Sequence, residues 1–267
     1  RYRSAHTRYP HTQFLSNGNY VTSVTNAGGG ESTWRGLPVT RWRRDATRDA
    51  DGQFIYLRDI RSGAVWSAAY QPSRHEPDTY AVTFSADRAT FRRRDGDIST
   101  QLDVAVSTED DVEVRRLTIR NDGTGIRELD VTSYAEIVLT PRANDVAHPA
   151  FGKLFVETEF LRDCAALLCH RRPREAGDLA ACAFHVLSLE GRPQGSIEWE
   201  TDRARFLGRG HSTADPQALD GRTLSGTTGV VLDPIVSLRQ RVRLSPGATV
   251  RLSFSTGMAS DRVTAEA

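Results

Sequence analysis

The sequence contains few cysteines, almost no lysine and no long hydrophobic run. Its three cysteines, Cys164, Cys169 and Cys182, form neither a C-x-x-C pair nor a zinc-finger spacing with histidine. The pattern therefore indicates neither a disulfide framework nor a structural zinc site, and we interpret the three thiols as buried small residues of a reducing compartment. No run approaches the roughly 18 apolar residues of a membrane-spanning helix, so we expect no direct membrane insertion by this domain.

Excess charge of one sign is also absent. The chain of 267 residues carries 35 basic and 34 acidic residues, a net charge of +1. This balance argues against a protein whose main partner is a polyanion, so we expect no nucleic-acid binding. Lys153 is the only lysine, and the other 34 basic residues are arginines, whose guanidinium groups make forked hydrogen bonds and stacks that lysine does not make.

Strand patterns run through nearly the whole chain. Asn17-Gly18 separates two apolar runs and predicts a β-hairpin. Residues 98–106 alternate apolar and polar side chains with the period of a half-buried strand. Between 112 and 119 the apolar alternation changes phase at Arg115-Arg116, which predicts a β-bulge there.

Residues 238–254 predict an antiparallel hairpin with its turn at 245–247. The apolar residues of its first strand share one face, and Arg239, Arg241 and Arg243 share the other. We interpret the arginine face as exposed to solvent or directed towards a partner.

Helical patterns are nearly missing. No segment before residue 258 keeps a 3.6-residue period over three turns; one helical turn is expected at 215–220, and Ser260 can cap a helix beginning at Asp261. We therefore predict an all-β domain of antiparallel strands in two packed sheets, with few or no helices.

Most candidate catalytic patterns favour ordinary structural roles. The seven histidines show no metal-ligand spacing, so no metal site is expected, and His170 and His185 lie in apolar strand patterns typical of core histidines. No serine has the sequence context of a nucleophile elbow. The residues therefore indicate no catalytic centre.

One segment, 34–45, combines two tryptophans, four arginines and an acid, among them Arg41, Trp42, Arg43 and Asp45. Aromatic faces stack on sugar rings, and arginine and aspartate bind vicinal hydroxyls. The same residues can instead form an arginine–tryptophan stack and a buried ion pair that hold a long loop. Both interpretations remain open.

A second polar loop is predicted at 140–149, after an apolar strand. It contains Asn144, Asp145 and His148, side chains that suit sugar hydroxyls at the end of a strand. Turn formation explains the same residues almost as well.

Further segments follow in order along almost the whole chain, at 15–20, 25–30, 39–45, 56–59, 62–67, 132–136, 148–151, 200–203, 206–210, 224–229 and 232–234. Together they resemble the N-terminal β-domain of glycoside hydrolase family 94, formerly glycosyltransferase family 36. This family contains cellobiose and chitobiose phosphorylases and the C-terminal part of cyclic β-1,2-glucan synthases. Segments 45–49 and 66–72 are closer to the synthases.

The resemblance implies a large antiparallel two-sheet β-super-sandwich, similar to galactose mutarotases, over residues 1–257. The start of a helical linker is then expected at 258–267. In the family the linker leads to an (α/α)6 barrel that supplies the catalytic acid, so no catalytic residue is assigned to this chain and no cofactor is expected. The β-domain contributes loops to the sugar cleft and the dimer interface. We therefore expect the carbohydrate-binding residues to be Arg41, Trp42, Arg43, Asp45, Asn144, Asp145 and His148.

The resemblance further implies a non-catalytic, cleft-shaping domain of a multidomain cyclic β-1,2-glucan synthase or related inverting disaccharide phosphorylase. Its expected partners are a β-glucan oligosaccharide, the (α/α)6 barrel and, in a homodimer, a second copy. We expect the domain to lie at the cytoplasmic face of a bacterial inner membrane, tethered there through the parent protein. The alternatives are a purely structural or dimerisation module and an autonomous aldose epimerase.

Overall fold

The computed structural model describes residues 1–43, 45, 47, 49–173 and 181–266. Antiparallel strands dominate this part of the chain, because most segments alternate buried and exposed side chains with the period of a pleated strand. In chain order the strands are β1 (Thr12–Ser16), β2 (Tyr20–Thr25), β3 (Gly30–Trp34), β4 (Leu37–Pro38), β5 (Gln53–Asp59), β6 (Val65–Ser67), β7 (Thr79–Phe84), β8 (Ala89–Asp95), β9 (Ile98–Val106), β10 (Val112–Asn121), β11 (Arg127–Glu136), β12 (Val156–Leu161), β13 (Ala166–Arg171), β14 (Cys182–Glu190), β15 (Gln194–Asp202), β16 (Gly229–Val230), β17 (Pro234–Leu244) and β18 (Thr249–Ala259).

Helices are short throughout the described ranges. They are α1 (Arg142–Ala147), α2 (Pro149–Lys153), α3 (Arg203–Leu207) and α4 (Arg262–Glu266), with one 3-10 turn at Gln217–Leu219 that lies inside the helical turn predicted at 215–220. The predicted cap of α4 is wrong by one residue, because the Asp261 carboxylate, not Ser260, accepts from the Thr264 backbone N–H at 2.8 Å. None of the described helices is long and apolar enough to cross a membrane.

The strands form three antiparallel sheets. A nine-stranded sheet has the order β16-β12-β13-β14-β18-β10-β9-β8-β7, a five-stranded sheet the order β15-β17-β11-β5-β6, and the first four strands form a third sheet in chain order. One continuous hydrophobic cluster joins all three, with Leu117 from the first sheet, Leu238 from the second and Trp34 from the third. The predicted all-β super-sandwich is confirmed, with an additional four-stranded sheet formed by the N-terminal segment.

The C-terminal hairpin prediction is wrong. β17 pairs with β11 and β15, whereas β18 pairs with β10 and β14, so the turn at 245–248 carries the chain from one sheet to the other. Asn121 holds this crossover. Its side-chain Nδ2 donates to the Leu244 carbonyl at 3.1 Å, and its backbone carbonyl accepts from the Gly247 N–H at 2.9 Å. Alternation reports which face is buried and carries no information about the pairing partner.

The predicted arginine face is correct at two positions of three. Arg241 and Arg243 are exposed, but Arg239 is only 4% exposed. Its guanidinium donates to the Ala218 carbonyl at 2.6 Å and to the Arg222 carbonyl at 2.8 Å. The segment that contains the 3-10 turn therefore covers the outer face of β17 at Arg239, and distant segments of this kind leave no trace in the local pattern.

The predicted bulge at Arg115-Arg116 is also wrong. The pairing of β10 with β9 and β18 is regular through both residues, and Glu113, with no exposed surface, and Arg115 face the interior with Leu117. The apparent change of phase arises because two charged residues occupy buried positions. They form an ion pair, with 2.7 Å between Arg115 Nε and Glu113 Oε1.

Polar side chains continue from this ion pair across the interior. We call Glu113, Arg115, Gln53, Thr256, His185 and Ser133 the interior chain. Gln53 Nε2 donates to Glu113 at 2.8 Å, and Thr256 Oγ1 donates to Gln53 Oε1 at 2.8 Å. His185 lies 2.8 Å from Thr256 through Nδ1 and 2.8 Å from Ser133 through Nε2. Because Thr256 donates to Gln53, His185 Nδ1 donates to Thr256 and Nε2 accepts from Ser133.

His185 is therefore a core histidine, as predicted, and burial lowers its pKa to about 3. His170 is not, because its side chain is 41% exposed and lies 3.1 Å from Glu157. Cys169 and Cys182 are buried as expected, whereas Cys164 is exposed in the turn before β13.

Candidate functional site

A cluster of charged side chains lies where β4, β11, β17 and three short helices meet. We call it the Arg41 cluster. Its members come from the segment after β4, the end of β11, α1, α2, the start of α3 and the residue before β17. They are Arg41, Arg43, Glu136, Asp145, Lys153, Arg203 and Asp233.

Arg41 lies at the centre of the cluster, with a side chain only 7% exposed. Its Nη1 lies 2.6 Å from Glu136 and 3.4 Å from Asp233, and its Nη2 lies 3.4 Å from Asp145. The backbone N–H of Arg41 donates to the Glu136 carbonyl at 3.0 Å and aligns the segment with β11. Burial opposes its positive charge, but the three carboxylates raise the pKa of Arg41, which stays cationic.

Arg43 connects the two predicted sugar-binding segments. Its Nη1 is paired with Asp145 Oδ2, while its backbone N–H donates to Asp51 at 2.7 Å. Asp145 is buried, whereas the Arg43 side chain remains 37% exposed. The structure thus brings together Arg41, Arg43 and Asp145, and leaves a partly exposed guanidinium at the outer side of the cluster.

The other four members were missed by the sequence reasoning. Arg203 Nε lies 2.6 Å from Glu136 Oε1, and Lys153 Nζ lies 2.7 Å from Asp233. Burial alone would raise the pKa of Glu136, but Arg41 and Arg203 lower it, so the carboxylate is ionised. A signal was present in the sequence: Lys153 is the only lysine, and Glu136, Arg203 and Asp233 all lie in segments that carry the family resemblance.

Trp42 takes part in the structural arrangement that the sequence left open. The guanidinium of Arg142 lies 5.2 Å from the centroid of the Trp42 ring, and Arg142 also forms an ion pair with Glu31. Asp45 is exposed and accepts from the Thr47 backbone N–H at 2.9 Å. Arg44, in the same segment, lies outside the described residues.

The second segment is not a loop, because α1 and α2 occupy most of it. Pro149 begins α2, where proline is favoured because the first helical N–H needs no partner. Asn144 lies in α1, His148 lies between α1 and α2, and both are exposed. Of the predicted residues in this segment, only Asp145 enters the Arg41 cluster.

Exposed apolar side chains surround the cluster in sequence. Val146 follows Asp145, Phe151 and Leu154 flank Lys153, and Leu232 precedes Asp233; all four are exposed. These four exposed apolar side chains are near neighbours of cluster members in the chain.

The chemistry of the cluster is that of recognition. Four cations and three carboxylates alternate within ion-pair distance, so guanidinium donors and carboxylate acceptors lie side by side, as the hydroxyls of a sugar require. Arg41 and Arg203 lower the pKa of Glu136 and keep it ionised, which does not suit a general acid.

The fold defines a β-super-sandwich module. The family model described as "Glycosyl hydrolase 94, supersandwich domain" matches residues 1–267. The chain belongs to this family, as the resemblance of its segments implied.

Relatives in the family act on carbohydrates. The chain is 41% identical over 252 residues to the cyclic β-(1,2)-glucan synthase NdvB of Rhizobium meliloti (strain 1021), covering 94% of this chain and 9% of that protein. It is 23% identical over 254 residues to the N,N'-diacetylchitobiose phosphorylase of Vibrio proteolyticus, covering 93% of this chain and 31% of the relative. The chain therefore spans a third or less of the length of these relatives.

A solved structure confirms the fold at greater sequence distance. An aldose 1-epimerase-type protein of Escherichia coli K12 superimposes with a TM-score of 0.51 at 10% identity, over 94% of this chain and 99% of that one. The predicted similarity to the mutarotase fold is correct, and at this level of identity the likeness concerns the fold alone.

Proposed function

We propose that this supersandwich domain binds a β-glucan oligosaccharide and shapes one side of the substrate cleft in a cyclic β-1,2-glucan synthase or related inverting phosphorylase. The observation that carries the proposal is the Arg41 cluster, which brings Arg41, Arg43 and Asp145 from two separate segments into contact. The 41% identity to a cyclic β-1,2-glucan synthase supports β-1,2-linked glucose as the ligand.

In the proposed complex, Arg43 and Arg203 contact the sugar, because their side chains are the more exposed cations of the cluster. Their guanidinium groups donate to vicinal hydroxyls, while Asp145 and Glu136 hold them in place. The proposed general acid belongs to the (α/α)6 barrel of the parent enzyme. There it protonates the glycosidic oxygen during inversion, and this chain positions the glucan.

The exposed apolar residues beside the cluster suit the barrel as a partner. Val146, Phe151 and Leu232 are large exposed side chains next to Asp145, Lys153 and Asp233, and covering them would add apolar burial to the charged contacts. We further propose that α4 begins the helical linker at 258–267, although Ala267 lies outside the described residues. The parent would tether the domain at the cytoplasmic face of the inner membrane, and a second copy would form a homodimer.

A scaffold role is the second candidate function, favoured by the Arg142–Trp42 stack and the complete ion pairing of Glu136, Asp145 and Asp233. A calorimetric titration of the 267-residue chain with β-1,2-linked gluco-oligosaccharides distinguishes sugar binding from a scaffold role. We expect saturable binding that Arg43→Ala weakens by about tenfold or more, because one charge-assisted hydrogen bond is lost.

The matched control is Arg243→Ala, which removes an exposed arginine on β17 and leaves the Arg41 cluster intact. It should bind like the parent chain. Absence of saturation at millimolar oligosaccharide, or equal weakening by the two variants, would contradict sugar binding at the cluster and leave the scaffold role.

A further inference from the structure

A cavity of about 310 Å3 lies beside α3, lined among others by Glu200, Arg209, Gln217 and Thr223. We infer that it is a binding site for one neutral pyranose ring. Its size lies at the lower end of the range of small-molecule sites in proteins.

A buried carboxylate forms one wall of the cavity. Glu200 is only 2% exposed, and its Oε1 accepts from the backbone N–H groups of Thr201 at 2.9 Å and Asp202 at 3.0 Å. Its Oε2 accepts from the Ser225 hydroxyl. A carboxylate has about four acceptor sites, so Glu200 can accept one more hydrogen bond. Within the described ranges, no cation lies within ion-pair distance of it.

Three polar side chains of the lining have no protein partner among the described residues. In the part of the chain that the structure describes, the Arg209 guanidinium, the Gln217 amide and the Thr223 hydroxyl form no side-chain hydrogen bond and no ion pair. Arg209 and Thr223 are exposed and Gln217 is half-buried, so the three groups face solvent in the open cavity and are free to bind the hydroxyls of a ligand.

The backbone leaves room specifically for Gln217. Gly208 has φ of +80°, and a Cβ at this position would lie 2.4 Å from Gln217 Oε1. Glycine is therefore required both for the left-handed conformation and for the approach of the amide. Because residue 208 has no side chain, the Gln217 amide can lie against its backbone at the edge of the cavity.

The charges of the lining favour a neutral ligand. Arg222 is paired with Asp220 at 2.6 Å, and Arg205 lies 3.7 Å from Asp202, so Glu200 and Arg209 remain as one carboxylate and one guanidinium. An anion would be repelled by the first and a cation by the second. A hydroxyl both donates and accepts, and a ring with several hydroxyls can satisfy both groups and the Gln217 amide.

The cavity and the Arg41 cluster both adjoin α3 but have no residue in common. Arg203 at the start of the helix belongs to that cluster, whereas Ala204 and Arg205 line the cavity. The choice of glucose as the pyranose rests on the proposed function, but the inference that a pyranose binds here depends only on the lining.

The test is a backbone-amide NMR titration of the 267-residue chain with the β-1,2-linked disaccharide of glucose. We expect saturable shifts at residues 204–209 and 217–225. Arg209→Ala and Gln217→Ala should each raise the dissociation constant about tenfold, since each removes a hydrogen bond to the ligand. Gly208→Ala should have a similar effect by displacing Gln217.

Arg192→Ala is the matched control, because Arg192 is exposed and lies outside the lining; its dissociation constant should not change. Saturable shifts confined to 41–43 and 142–153 would overturn the cavity site while supporting the proposed function. Shifts at 204–225 that Arg209→Ala and Gln217→Ala leave unchanged would also overturn it. No saturable shift anywhere would contradict both proposals.

Discussion

The domain contains two polar networks that use the same chemistry in opposite surroundings. The interior chain runs from Glu113 and Arg115 through Gln53 to His185, and it is sealed between the sheets. The Arg41 cluster lies at the end of β11, among short helices, with Arg43 and Arg203 partly exposed.

Redundancy distinguishes the two networks. Among the residues that the structure describes, Glu113 has one cationic partner, Arg115, whereas Glu136 is paired with both Arg41 and Arg203. Loss of one side chain in the interior leaves a buried charge alone, while loss of one in the cluster leaves its neighbours paired. The interior chain therefore links strands of the two larger sheets through buried hydrogen bonds, whereas the proposed sugar site has ion pairs with more than one partner.

The largest expected effect is in the interior. Glu113→Ala should lower the free energy of unfolding by about 3–5 kcal/mol, because Arg115 is left buried without a counter-charge. Urea denaturation followed by circular dichroism measures the loss. The control Arg116→Ala, at the exposed neighbouring position of β10, should change stability by less than about 0.5 kcal/mol; similar losses in the two variants would contradict the account.

A smaller effect concerns pH. Since burial lowers the pKa of His185 to about 3 and the unfolded value is about 6.5, the unfolded chain binds a proton between these values that the folded chain does not. Stability therefore falls as pH falls below about 6.5, by about 1.4 kcal/mol per pH unit for this group. His185→Gln should remove about 2 kcal/mol of the loss between pH 6.5 and 5, measured by urea denaturation at each pH. If the free energy of unfolding of His185→Gln fell with pH as steeply as that of the unsubstituted chain, His185 would be protonated in the folded state.

The smallest effect belongs to the cluster. Arg41→Ala should cost about 1–2 kcal/mol of unfolding free energy, less than Glu113→Ala, because Glu136 keeps Arg203 and Asp145 keeps Arg43. Urea denaturation of the two variants side by side gives the ratio. A loss at Arg41 as large as that at Glu113 would mean that the cluster lacks the inferred redundancy.

The two networks also mark what could be predicted from the sequence. Alternation predicted the all-β fold, and residue chemistry with the family resemblance selected Arg41, Arg43 and Asp145 for one site. The partners Glu136 and Asp233 lie 95 and 192 positions from Arg41, and contacts over such separations leave no local pattern. Glu113 and Arg115 misled the prediction because paired charges occupied positions that periodicity assigns to apolar residues.

The central claim is that the Arg41 cluster binds sugar and that the interior chain only stabilises the fold. Hydrogen–deuterium exchange of the 267-residue chain, with and without saturating β-1,2-linked gluco-oligosaccharide, tests this claim most directly. The account predicts slower exchange with the sugar at residues 41–43 and 142–153, and unchanged exchange at 112–116 in β10. Unchanged exchange at 41–43 and 142–153 under saturating sugar would contradict it.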